Sequence, residues 1–243
     1  MQVATRSYPA NLHQARHGHD TMAVTVVLAS SLRERVGRVE EAAHPLSVVI
    51  KPVGIEHENH FGPGGVQTLQ LLLDAREAAE LIGVHPALGH WRWIHGGASV
   101  RPFLALARAV RAGDPVAVEM AAVDALAAIE APPRERAAPP PAIRRVRGRL
   151  DDELEAPRVR DLARDAGMHP VYLARLFRRY VGTTMAHYRR RRRVRNVIAR
   201  IGSGTPLFRP ALEAGFADHA HMCRAFRAET GVTPSEYRVL LTG

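Results

Sequence analysis

The chain has 243 residues, of which 46% are hydrophobic and 24% are charged, with a formal net charge of +10. This composition excludes a disordered tail protein, and no run approaches the roughly 18–20 consecutive apolar residues that a membrane span needs. The first thirty residues hold His13, His17 and His19 where a signal peptide needs an apolar stretch, and a single cysteine, Cys223, excludes an intrachain disulfide. We therefore expect a cytoplasmic protein with no membrane partner.

Short β-branched and apolar runs separated by turn-rich pieces predict strands at residues 23–30, 46–51 and 66–73. After Asp74 the apolar residues recur at helical spacing, which predicts helices at residues 75–82, 101–112 and 116–129. Strands followed by helices predict an α+β domain over residues 1–130, with its strands in a small barrel.

A proline-rich segment separates this domain from the rest of the chain. Residues 131–141 read APPRERAAPPP, which predicts a stiff, extended linker. Residues 1–143 hold 13 Lys+Arg and 14 Asp+Glu, whereas residues 144–243 hold 21 Arg, no Lys and 10 Asp+Glu. We therefore expect a second, basic domain over residues 142–243, and its charge favours nucleic acid as its partner over a membrane surface.

The second domain contains an internal repeat. Residues 171–189 and 220–238 are identical at seven of nineteen positions at an offset of 49, including Arg175/Arg224. In each copy a helical pattern breaks at a glycine, Gly167 or Gly215, before a second helix starts, which predicts two helix-turn-helix units in an all-α domain. The second helices are predicted to bury Leu173, Leu176 and Phe177 in the first copy and Met222, Ala225 and Phe226 in the second.

Residues 143–237 resemble the DNA-binding domain of the AraC/XylS family of bacterial transcription regulators. GFADHAHMCRAFRAETGVTPSEYR at residues 215–238 is similar to the family signature, and LARDAGMHPVYLARLFRRYVG at residues 162–182 matches nearly as well. The resemblance implies two recognition helices that enter successive major grooves on one face of double-stranded promoter DNA. It also implies a long helix between the units at residues 184–201, with these residues inward: Met185, Tyr188, Val194, Val197 and Ile201.

The family pattern, carried over position by position, implies which residues face DNA. They are Val171, Ala174, Arg175 and Arg178 in the first unit, and His219, Ala220, Cys223, Arg224 and Arg227 in the second. Arginine suits base reading because its fork bonds guanine O6 and N7 together, worth about 1–3 kcal/mol of discrimination. For Arg175 and Arg224 the alternative is an intramolecular ion pair or a helix cap. For Cys223 an inert surface position is a simpler interpretation than a redox sensor.

Five consecutive arginines, residues 189–193, lie on the connecting helix. We expect Arg189, Arg190 and Arg193 to contact DNA phosphates, with a solvated charged face as the alternative. Pro210 stands where the family usually has a β-branched residue, so we expect the first helix of the second unit to start there.

The N-terminal domain resembles the cupin-like sensing domain that many AraC-type regulators carry. The resemblance rests on His17-Gly18-His19 and on PVGIEH at residues 52–57. It makes His17, His19 and His57 candidate ligands for Zn, Fe or Mn, with His60 as a replacement. The glutamate that metal cupins place after the paired histidines is absent, because residues 21–24 read TMAV. Histidines that line a ligand pocket or cap loops are the alternative, and we expect no resident cofactor.

These features predict a sequence-specific transcription regulator, not an enzyme, that senses a small-molecule effector and recruits or occludes RNA polymerase. Relatives often dimerise through helices at the position of residues 101–129, which leaves a homodimer open. The alternative is a metal-dependent cupin enzyme fused to a DNA-binding tail. A DNA-repair or amidase-like fusion is disfavoured because residues 1–143 contain no cysteine.

Overall fold

The computed structural model of the chain describes residues 1–96, 98–129, 138–152, 157–201, 211 and 213–241. The strands are β1 (Gln2–Tyr8), β2 (His13–His17), β3 (Met22–Val36), β4 (Val39–Ala43), β5 (Ser47–Lys51), β6 (His57–Leu73) and β7 (Arg92–His95). The helices are α1 (Ala75–Val84), α2 (Arg101–Ala112), α3 (Pro115–Ala127), α4 (Pro141–Asp152), α5 (Val159–Asp165), α6 (Pro170–Val181), α7 (Met185–Ile201), α8 (His219–Thr230) and α9 (Pro234–Leu241). Strands at the N-terminal end and helices at the C-terminal end confirm the predicted α+β class, and none of these helices is long and apolar enough to cross a membrane.

One antiparallel sheet contains all seven strands, in the order β1-β6-β3-β5-β7, while β2 also pairs with β6 and β4 with β3. The long strands β3 and β6 form its centre, and their register shifts between Val27 and Ala29 and again between Ser30 and Leu32. Such shifts bend a strand and increase its twist. Strands β1 and β5 pair with one end of the central two strands, and β2 and β4 pair with the other end.

The predicted barrel is not closed. Strands β1 and β7 lie at opposite ends of the strand order, and no pairing joins them within the described residues.

The strands predicted at residues 23–30 and 66–73 fall inside β3 and β6, which are about twice as long as predicted, and the strand predicted at residues 46–51 agrees with β5 to within one residue. Gly62, Gly64 and Gly65 are typical of a turn in the sequence, yet in the structure they lie within β6, where it runs alongside β3. A Cβ at Gly62 would lie 2.8 Å from the Ser31 carbonyl oxygen, so glycine permits this close approach of the two strands. The helices α1, α2 and α3 confirm the three predicted helices, with α2 at the predicted bounds.

The C-terminal repeat is also a repeat of backbone conformation. Gly167 and Gly215, in the turns before α6 and α8, have φ of +65° and +77°. Gly182 and Gly231, which end α6 and α8, have φ of +83° and +81°. Left-handed backbone favours glycine, so the glycines that recur in the sequence perform the same function in both units. The predicted helix start at Pro210 and most of the predicted linker, residues 131–137, lie outside the described residues.

Helix α7 connects the two units as predicted, with Met185, Val194, Val197 and Ile201 buried and Tyr188 half-buried. The first unit has a separate core, in which α4 packs against α5 and α6 through residues such as Ile143, Leu162 and Phe177. The core of the second unit is continuous with that of the N-terminal sheet.

Two hydrogen bonds mark the junction between the second unit and the sheet. The hydroxyl of Tyr237, which is fully buried, donates to the Leu28 carbonyl at 2.6 Å. The amide of Gln67 on β6 donates to the Leu241 carbonyl at 3.1 Å. The second unit therefore packs directly on the N-terminal sheet.

Candidate nucleic-acid interface and histidine clusters

Helix α6 presents the first predicted recognition face to solvent. Its backbone starts at Pro170, a favourable first helical residue, and Nδ1 of His169 accepts a hydrogen bond from the Val171 N–H at 3.3 Å. Leu173 and Phe177 are fully buried and Leu176 is half-buried, which confirms the predicted inner face. The outer face is exposed at every predicted position: Val171, Ala174, Arg175 and Arg178.

Helix α8 repeats this arrangement. Asp218 caps its first turn, because Oδ1 accepts a hydrogen bond from the His221 N–H at 2.6 Å. Met222, Ala225 and Phe226 are buried as predicted. The outer face exposes His219, Ala220, Arg224 and Arg227, with Cys223 half-buried.

Cys223 lies beside a histidine without being activated by it. Its Sγ is 3.7 Å from Nε2 of His219, and burial raises the pKa of the thiol. A raised pKa keeps the thiol protonated at neutral pH, which agrees with the inert interpretation.

Arg175 and Arg224 are exposed on equivalent positions of the two helices. In the part of the chain that the structure describes, neither guanidinium lies within 4.0 Å of a carboxylate oxygen. Within the described ranges, both side chains therefore lie open to an external hydrogen-bond acceptor.

The arginine run on α7 divides into two groups. Glu229 of α8, only 7% exposed, faces α7. Its Oε1 lies 2.7 Å from Nε of Arg190 and 2.8 Å from Nε2 of His187, and its Oε2 lies 3.4 Å from Nε of Arg191. Arg190, one of the predicted phosphate contacts, thus joins two helices, and sequence reasoning missed its partner because Glu229 is 39 residues away.

Arg189 and Arg193, together with Arg190, border an open groove of about 550 Å³ between α7 and the start of the second unit. The guanidinium of Arg193 lies 5.8 Å from the ring centre of Phe216, and desolvation followed by the charge of Arg193 lowers the pKa of Arg189. The groove is lined by Thr184, Ala186, His187, Arg189, Arg190, Arg193, Phe216 and His221. Its cationic lining and open shape suit a phosphate group.

The structure brings the three predicted histidines together as the His57 cluster (His17, His19 and His57), with one nitrogen from each within 4.8 Å of the others. The ring centres of His17 and His57 are 4.5 Å apart. His57 is 2% exposed, and its pKa is lowered to about 4, first by burial and then by the charge of Lys51. This spacing resembles that of a metal site.

The bonds that His57 already makes do not fit a resident metal ion. Its Nδ1 lies 3.2 Å from the Ile55 carbonyl and its Nε2 lies 3.2 Å from Nζ of Lys51. Nδ1–H therefore donates to the backbone, and the Nε2 lone pair faces an ammonium group where a metal would bind. The nearby carboxylate of Glu34, 1% exposed, is also engaged, with Lys51 at 2.9 Å and the Trp91 indole N–H at 2.7 Å.

A second group that sequence reasoning did not identify is the Glu58 cluster (His13, Glu58 and His60) at the pairing of β2 with β6. Hydrogen bonds from Arg35 and then from His13 hold the pKa of Glu58 at about 2. His60, proposed above as a replacement ligand for the His57 cluster, belongs to this group instead. Only the strand register could reveal the cluster, because His13 and Glu58 are 45 residues apart.

Comparisons with known proteins place the C-terminal half in one family. A family model described as a helix-turn-helix domain matches residues 162–239. The regulatory protein SoxS of Salmonella typhimurium is 32% identical over 93 residues, which cover 37% of this chain and 85% of SoxS.

Two solved structures that match the chain are more distant from it than SoxS. ToxT from Vibrio cholerae is 11% identical with a TM-score of 0.42, and the match covers 100% of both chains. The C-terminal domain of AraT from Geobacillus stearothermophilus is 22% identical with a TM-score of 0.39, over 42% of this chain and 88% of that one. These scores are too low to inform function, whereas SoxS matches the chain over most of its own length. The chain belongs to the AraC/XylS family of DNA-binding transcription regulators.

Proposed function

We propose that α6 and α8 read two successive major grooves on one face of promoter DNA, with Arg175 and Arg224 bonding base edges. The observation that carries this proposal is the repetition of one exposed face at an offset of 49 residues, with an arginine at the same place in each copy. Successive major grooves on one face of a duplex lie about 34 Å apart, and the two recognition helices of one chain take the places that two subunits of a dimer otherwise fill. Arg189 and Arg193 in the groove beside α7 hold phosphates and set the register.

The test is selection of bound duplexes from a random DNA pool by the full-length protein at two salt concentrations. The full chain is required because the core of the second unit continues into the N-terminal sheet. We expect an enriched motif with two blocks about 10 base pairs apart. Salt-sensitive binding with no enriched sequence would mean that the arginines only hold phosphates.

Two variants distinguish base reading from phosphate contact. Arg175→Ala is expected to weaken binding to the selected DNA site by about 1–3 kcal/mol and to relax the sequence preference at one base pair. Arg193→Ala, the matched control, is expected to weaken binding to all sequences alike and to reduce the slope of log K against log salt by about 1. Equal loss on every sequence for Arg175→Ala would make it a phosphate contact instead.

The effector, in this proposal, binds in the polar interior of the N-terminal sheet domain. Glu34, Lys51 and His57 form a buried hydrogen-bonded group there, at the bent end of the sheet. The side-chain Oδ1 of Asn59 is also buried, and among the described residues it has no hydrogen-bond donor. A buried acceptor of this kind favours an effector with a donor group, because an unsatisfied buried acceptor costs about 1–3 kcal/mol.

Strand β3 connects this interior to the DNA-binding half. It carries Glu34 in the polar group and Leu28, whose carbonyl bonds Tyr237 of the second unit. A ligand that shifts Glu34 therefore biases the orientation of the second helix-turn-helix unit, and with it the recruitment or occlusion of RNA polymerase.

A homodimer is supported by an exposed apolar stripe on α3. Val116, Met120 and Val123 are 66%, 65% and 57% exposed and recur at helical spacing. Met120→Glu is expected to convert a dimer into a monomer in sedimentation experiments.

The enzyme alternative, a metal-dependent cupin, receives no support from the His57 cluster. Its most buried histidine already uses both ring nitrogens, one of them toward the Lys51 ammonium. We therefore assign the His57 cluster to ligand sensing rather than to metal catalysis.

A further inference from the structure

The Glu58 cluster is built by strand pairing. His13 on β2 and His60 on β6 are directly opposite in the antiparallel register, so their side chains lie on one face of the sheet. Glu58 is two residues before His60 on the same strand and therefore shares that face. The backbone alone thus brings two imidazoles and a carboxylate together.

The nitrogens of both histidines contact one oxygen of the carboxylate. Nε2 of His13 lies 2.8 Å and Nε2 of His60 lies 3.0 Å from the same oxygen of Glu58, Oε1. The two rings stack with centres 4.2 Å apart and planes 5° apart. The other oxygen, Oε2, is held by Arg35, whose Nε lies 3.1 Å away. Arg35 therefore orients the carboxylate and leaves Oε1 toward the histidines.

The two histidine clusters differ in what their nitrogens face. In the His57 cluster, a lysine ammonium lies at the buried nitrogen. In the Glu58 cluster, both Nε2 atoms face a carboxylate oxygen, and all three donor atoms lie within 4.8 Å of one another. The cluster also opens to solvent, since His13 is 51% and His60 is 43% exposed while Glu58 is 14% exposed.

We propose that His13, Glu58 and His60 bind a divalent transition-metal ion, with Zn²⁺ as the first candidate. Imidazole nitrogen and carboxylate oxygen are ordinary Zn²⁺ ligands, and three protein ligands leave a fourth position for water or another ligand. Arg35 supports the site from outside by fixing the carboxylate. The proposal does not depend on the DNA-binding function, because none of these residues lies in the helical half.

The bound ion would join β2 to β6 through their side chains. The register of this pair shifts between Gln14 and His17, so β2 is joined to the sheet by few backbone pairs. β2 also carries His17 of the His57 cluster. Metal bound at its first residue would therefore restrict the strand that leads to the proposed effector site.

The experiment is a titration of the full-length protein, free of any affinity tag, with Zn²⁺ alone and with Co²⁺ alone. Calorimetry with Zn²⁺ and the visible absorption of bound Co²⁺ both report stoichiometry. We expect one equivalent, and we expect His13→Asn/His60→Asn to weaken binding by at least about tenfold. The matched control is His17→Asn/His19→Asn, which removes two histidines from the other cluster and is expected to leave this equivalent in place.

Three results would overturn the proposal: no binding by the parent protein, equal binding by His13→Asn/His60→Asn, or loss of binding only in the His17→Asn/His19→Asn control. Circular dichroism establishes that each variant is folded. If the double variant does not fold, the single change His13→Asn decides the question, because this half-exposed side chain lies outside the hydrophobic core.

Discussion

The hydroxyl of Tyr237 offers a sharp test of how the two halves of the protein are joined. The ring is fully buried and packs edge-on against Phe226, with centres 5.5 Å apart, while the hydroxyl donates to the Leu28 carbonyl at 2.6 Å. Leu28 lies where the register of β3 with β6 shifts, between Val27 and Ala29. Its carbonyl therefore depends on a side chain of the second helix-turn-helix unit.

Tyr237→Phe removes one oxygen atom and keeps the packing. A buried acceptor that loses its donor costs about 1–3 kcal/mol, so we expect the free energy of unfolding to fall by that amount. The measurement is denaturant unfolding of the full-length protein, with the slope m compared between variants to ensure that the same surface is exposed.

Tyr172→Phe makes the same chemical change on the outer face of α6, where the side chain is 54% exposed. We expect that control to change stability by less than about 0.5 kcal/mol. A Tyr237→Phe protein as stable as this control would refute the stabilising role of this hydrogen bond, because the carbonyl of Leu28 would then lose nothing with the hydroxyl.

Three further predictions concern single side chains. Glu229→Gln is expected to destabilise the protein by about 1–3 kcal/mol, because Arg190 and Arg191 lose their carboxylate partner. The freed arginines are also expected to steepen the salt dependence of DNA binding. An unchanged slope of log K against log salt contradicts this. Asp218→Ala, which removes the cap of α8, is expected to cost about 1 kcal/mol in thermal or chemical unfolding, and no loss contradicts the cap. The pKa of His57 lies at about 4 in the folded protein, below the ordinary value of 6.5. Between these two pH values unfolding takes up a proton, so the free energy of unfolding is expected to fall by about 1–3 kcal/mol as the pH is lowered through this window. His57→Gln is expected to flatten that part of the stability curve.

Much of the helical half could be predicted from sequence, and particular residues show why. The 3.6-residue period by itself places Leu173 and Phe177 inside and Arg175 outside, as the structure has them. The glycines at 182 and 231 end their helices because a left-handed residue is a local backbone requirement. Interactions within a helix join residues three or four apart, so a linear pattern contains them.

The sheet was harder to predict for the opposite reason. The sequence predicts only segments of β3, β5 and β6, because the edge strands β1, β2, β4 and β7 lack a continuous apolar signal. Whether the sheet closes depends on the lengths and tilt of strands that meet only in space. The open order of the strands was therefore outside the reach of any local pattern.

The sequence by itself determined the two helix-turn-helix units, the faces that their recognition helices expose and the family to which the chain belongs. Only the tertiary structure decided the partners of the polar side chains: Glu229 for Arg190, Lys51 for His57, and His13 with His60 for Glu58. It also decided that the second unit packs on the sheet through Tyr237. The physical reason is range, because helical faces follow from spacing along the chain, whereas charges and hydrogen bonds choose partners by distance after the chain has folded.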